Sequence, residues 1–133
     1  MNKSINKILA LCFIGLFFYP KIIYGADKPN LAPYKPSGWS DKIVVSSRTG
    51  TTVDSTLHPE DNLYIDWAVI NDGSAPVTKP FYIYLGVDLQ LIKNWYIDPT
   101  LDPGWYVSLN DFSLGTLSPG LHTLILLVDT TTL

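Results

Sequence analysis

The sequence predicts an all-β fold, a small antiparallel β-sandwich, and three observations carry the prediction. From Asp41 onward the chain runs in short stretches rich in Val, Ile, Tyr and Trp, residues whose branched or flat side chains fit a pleated, half-buried surface. Each stretch is closed by Gly, Pro, Asn or Asp at the spacing of sandwich turns. No stretch repeats its apolar residues with a helical period.

Taken in order, the first strand is expected in "KIVVSS", starting at Lys42. The second, "LYIDWAVIN", puts Leu63, Ile65, Trp67 and Val69 on one face and Tyr64, Asp66, Ala68 and Ile70 on the other, so the first set reads as core. The third, "FYIYLGVD", sends Phe81, Ile83, Leu85 and Val87 inward and leaves Tyr82 and Tyr84 on the outer face or rim. Asp88 then opens a tight turn into the fourth, "LIKNWYI". The fifth is "WYVSLNDFSL", from Trp105, and the sixth is "LHTLILLVD", from Leu121. In the sixth, His122, Leu124, Leu126 and Val128 face the core, and Ile125 and Leu127 face out. The connections "NDGSAPVTKP", "DLQ", "DPTLDPG" and "LSPG" have the chemistry of turns.

Two segments precede the strands. Residues 1–26 read as a signal peptide, with Lys3 and Lys7 ahead of the apolar run "ILALCFIGLFFY" and small residues at Gly25 and Ala26, where cleavage is expected after Ala26. About a dozen apolar residues is short against the roughly 20 that span a bilayer. Cys12 sits in "LALC", but Leu11 occupies the place where a lipidation box needs a small residue, so a plain cysteine of the leader is expected. Residues 27–40, "DKPNLAPYKPSGWS", carry Pro29, Pro33, Pro36 and Gly38 and are expected to form an extended linker into a domain at 41–133.

Cys12 is the one cysteine of the chain, so beyond the leader stability must come from a single core rather than from disulfides. Three of the nine Lys and Arg, and none of the twelve Asp and Glu, lie within residues 1–26, which leaves a net charge near −6 after cleavage. That sign disfavours nucleic acid as a partner.

The order "LYIDWAVINDGSAPV", then "FYIYLGVD", then "LGTLSPGLHTLILLVD" resembles the CARDB domain, the cell adhesion related domain found in bacteria. The resemblance covers about Asp41 to Asp129. It implies an immunoglobulin-like sandwich of seven strands, exported to the cell surface or secreted, and a non-catalytic adhesion role beside other domains. In the family the strand ending in Val-Asp is followed by one more strand, whereas here the sequence ends at Leu133. The expectation is thus an immunoglobulin-like fold missing its last strand. Two readings follow: a fragment of a larger surface protein, or a domain finished by a strand-completion partner at the 121–128 edge.

The candidate chemistry is sparse. His122 follows Gly120 at a turn into a strand, the place of a corner residue whose polar tip bonds nearby backbone, and it is expected to hold the "LSPG" turn rather than act as a base. His58 lies in "TLHPED", a solvated turn, so no metal site is expected. Asp54, Glu60, Asp61, Asp72, Asp98 and Asp102 fall in turn contexts, with no calcium-loop spacing and no serine in a nucleophile motif. Neither an enzyme nor a cofactor is expected.

The aromatics carry the functional potential. Tyr82, Tyr84, Trp95, Tyr96, Trp105 and Tyr106 lie on three strands and the "DPTLDPG" loop. They either close the ends of the core or present an exposed strip for a protein surface or a glycan. The function expected is an adhesion or interaction module that meets other domains or surface proteins. A carbohydrate-binding module is the alternative, and it would show Trp95 and Trp105 as one flat exposed platform. No membrane contact is expected after leader cleavage.

Overall fold

The computed structural model describes residues 27–98 and 100–128, together with the backbone of a short strand, β1 (Ile5–Lys7). The rest of the expected leader and its cleavage site lie outside the described residues, as do Asp129 to Leu133. The other strands are β2 (Leu31–Pro33), β3 (Ile43–Ser46), β4 (Leu63–Asn71), β5 (Phe81–Val87), β6 (Gln90–Ile97), β7 (Tyr106–Gly115) and β8 (His122–Val128). The described residues include no helix.

The strands form two sheets packed face to face, so the fold is an all-β sandwich. One sheet runs β1-β8-β5-β6; in the other, β4 is central, with β7 along one edge and β2 and β3 end to end along the other. Every pairing is antiparallel except β1 with β8. The "DLQ" turn closes the β5–β6 hairpin with Asp88 and Leu89 both at positive φ, 51° and 67°, the backbone of a primed turn that matches strand twist.

Alternation places the core where the sequence puts it. Leu63, Ile65, Trp67 and Val69 of β4 meet Phe81, Ile83, Leu85 and Val87 of β5, and Leu124 and Leu126 of β8 close the same cluster. Each such buried side chain contributes on the order of 2 kcal/mol. The two sheets are joined by an aromatic chain: the Trp67 ring lies 5.1 Å from that of Trp95 on β6, which meets Phe112 of β7 edge-on at 5.2 Å.

The proline-rich segment expected as a linker is extended, but it is packed into the sandwich rather than leading to it. Leu31 is fully buried, and β2 pairs with the end of β4. Asn71, also fully buried, secures this join. Its Oδ1 accepts from the N–H groups of Asn30 and Gly73, and its Nδ2 donates to the carbonyls of Ala75 and Leu101. Gly73 is required by close approach: a Cβ there would lie 2.3 Å from the Lys28 carbonyl oxygen and 2.4 Å from the Asn30 nitrogen. The loops "NDGSAPVTKP" and "DPTLDPG" meet in a bridge between Val77 and Leu101, both buried, so they cap the core rather than merely connect strands.

Candidate interaction surface

The six aromatics proposed from sequence separate into three places. Tyr82 and Tyr84 project from the outer face of β5, and Tyr96 from β6 directly beside Tyr82 in register. The Tyr82 ring stacks with Tyr84 at 6.0 Å and meets Tyr96 edge-on at 5.3 Å. Tyr82 and Tyr96 are 38% and 57% exposed. Leu127, opposite Tyr84 on β8 and 48% exposed, extends the patch with an aliphatic surface. The Tyr96 phenol is held above its ordinary pKa by desolvation first, then by Asp98 and Tyr82.

Trp95 turns inward against Trp67 and Phe112 and leaves the exposed set. Trp105 is 67% exposed, at the mouth of β7, where its carbonyl accepts the Asn71 N–H. Tyr106 pairs with Ile70 on the other sheet and packs against Tyr34 at 5.2 Å. Trp95 and Trp105 therefore do not share one flat exposed platform.

His122 sits where the corner reading puts it. It is buried at the start of β8, with Nε2 2.7 Å from the Ser118 carbonyl in the "LSPG" turn. Nδ1 lies 2.6 Å from Asp88 Oδ2, and Asp88 Oδ1 accepts from the Thr123 N–H. Asp88 is held below the usual carboxylate range, first by the Thr123 amide and then by the His122 ring. Gly120, at φ +143°, makes the turn that brings Ser118 back to the ring. His58 lies in a turn closed by Asp61, whose carboxylate accepts the His58 N–H at 2.7 Å. Among the described residues no three His, Cys, Asp or Glu are grouped to hold a metal ion.

Two features escape a sequence reading. Asp66, on the outer face of β4, is buried all the same: Oδ1 accepts from the Asp111 N–H at 2.6 Å, and Oδ2 has no partner among the described residues. Burial, ahead of the opposing Asp111 amide bond, raises its pKa. Asp54 caps the free edge of β3, accepting from the Val45 N–H and the Ser40 hydroxyl. No family model, curated protein or solved structure matches the chain.

Proposed function

We propose that this chain is an exported, non-catalytic interaction module of the immunoglobulin-like, CARDB type, working at the cell surface or outside the cell beside other domains or surface proteins. The observation that carries the reading is the Tyr82–Tyr84–Tyr96 cluster. Three tyrosines on one sheet face, with Leu127 at its margin, form an amphipathic patch of the kind that protein interfaces favour. Support for export comes from the basic and apolar pattern of residues 1–26. Support for the immunoglobulin-like type comes from the central β4 flanked by β3 and β7, facing a β8-β5-β6 sheet. A carbohydrate-binding module remains the second reading because exposed tyrosine rings also stack on sugars.

The test presents the chain from Asp27 to immobilised surface proteins and to a panel of polysaccharide gels. Retention on protein surfaces that falls at least tenfold in a Tyr82→Ser/Tyr96→Ser variant supports the interaction module. Retention on polysaccharide alone, lost in the same variant, transfers the function to glycan binding. Retention unchanged by the double substitution overturns both.

A further inference from the structure

The sandwich has four sheet edges, and three of them are blunted. The β6 edge carries Lys93 and a bulge opposite Leu85 and Gly86. The β7 edge is kinked at Asp111, at φ 59°, where the register with β4 shifts. On the β2 and β3 edge the strands are three and four residues long, Pro33 lacks a donor, and the β3 backbone is capped by the Asp54 carboxylate and the Ser55 N–H. Charges, prolines, bulges and coverage are the devices that keep edges from pairing with other chains.

The β8 strand itself carries no such charge, proline or bulge, and among the described residues β1 covers its edge at one end. Its seven residues, "HTLILLV", include no Asp, Glu, Lys, Arg or Pro, and its register with β5 is unbroken. Thr123 directs both main-chain groups to Asp88 at the end of β5: its N–H to Oδ1, its carbonyl to the Asp88 N–H. Alternation therefore points the main-chain groups of His122, Leu124, Leu126 and Val128 to the opposite side. There β1 pairs with His122 to Leu124 only, so the edge accepts a strand, and the strand it holds belongs to the segment read as a leader.

We propose that β8 is an interface between two copies of this chain, pairing antiparallel, edge to edge, when residues 1–26 are absent. A two-fold axis through Ile125 sets Leu124 against Leu126 of the second copy and His122 against its Val128. Leu124 and Leu126 then exchange main-chain hydrogen bonds across the axis, and the two three-stranded sheets become one. Such an isologous contact needs a surface that tolerates its own image. A stretch without Asp, Glu, Lys or Arg meets that condition even though each copy is acidic overall. Ile125 lies beside its counterpart and Leu127 beside Thr123 of the second copy, on the face that carries the tyrosine patch. The proposal rests on the reading that export removes β1, but it is tested on a chain that starts at Asp27, so a failure of dimerisation is separable from a failure of the export reading.

The core cluster lies within Leu31 to Leu126, and a cooperative thermal transition verifies that the chain from Asp27 is folded. Sedimentation equilibrium of that chain is expected to show a monomer–dimer equilibrium. Ile125→Lys and Ile125→Glu, each placing like charges on the axis, are expected to weaken it at least about tenfold while remaining folded. Mixing the two variants is expected to restore a heterodimer. Ile92→Lys, on the β6 edge, is expected to leave association unchanged. A monomeric parent chain, association undiminished in the charged variants, or no recovery in the mixture would each overturn the proposal.

Discussion

The His122 ring is held between two acceptors, the Asp88 carboxylate at 2.6 Å and the Ser118 carbonyl at 2.7 Å. Each ring nitrogen thus faces a group that can only accept, and a nitrogen that carries a proton donates to the acceptor it faces. The clamp fixes the start of β8 against the β5–β6 turn. His122→Leu keeps the bulk and loses both bonds, with an expected loss of about 2 kcal/mol. Urea denaturation with tryptophan fluorescence measures it. His122→Leu as stable as the parent would remove the clamp from the account.

Asp88 gives the fold an acid limit of known sign. Its carboxyl is held below the ordinary 3.8, so the stability it contributes is fully present above that value and is lost as pH falls through its lower folded value. Urea midpoints measured from pH 5 down to pH 2 are expected to fall less steeply in Asp88→Asn than in the parent.

Asp66 acts in the opposite sense. Its folded pKa lies above 3.8, so the folded state holds the proton more tightly, and stability declines as pH rises from 3.8 through the raised value. Asp66→Asn keeps an acceptor for the Asp111 N–H and removes the buried charge. It is expected to be about 1 kcal/mol more stable than the parent at pH 7 and to abolish that decline, as read from melting temperatures across pH 4 to pH 7.

Asn71 bonds four backbone groups on three segments with one side chain. Asn71→Ala leaves buried amide and carbonyl groups without partners, and a loss of about 3 kcal/mol is expected. Hydrogen exchange should show lost protection at Asn30, Gly73 and Leu101 before the centre of β4.

Gly73→Ala tests the close approach of the proline-rich segment. The added methyl meets backbone at Lys28 to Asn30, so the segment must shift, costing about 1 to 3 kcal/mol. Limited proteolysis is expected to cut near Lys28 and Lys35 faster in this variant than in the parent.

The strands were legible because one periodicity dominates them: "LYIDWAVIN" is β4 residue for residue, and the inward set of "FYIYLGV" is the buried set of β5. The role of His122 was legible because a turn glycine two residues earlier leaves few places for a polar tip. What escaped depends on contacts between distant segments. Nothing in "NLAP" shows that Leu31 will be fully buried, because its cover comes from residues far along the chain. Trp95 has the same neighbours in sequence whether it faces in or out, and the bulge between Leu85 and Gly86 lies within its hairpin. Alternation puts Asp66 on the outer face of β4, but it gives a face and not its depth.

The pairing of Trp67 with Trp95 also makes the domain its own optical gauge. Of the four tryptophans, these two are within coupling distance of each other across the gap between the sheets, while Trp105 looks into solvent. A coupled pair produces a signed doublet in circular dichroism that disappears once its rings separate, whatever happens to the surface indole. Parting of the sheets and solvation of the rim can therefore be followed as two signals in one unlabelled sample.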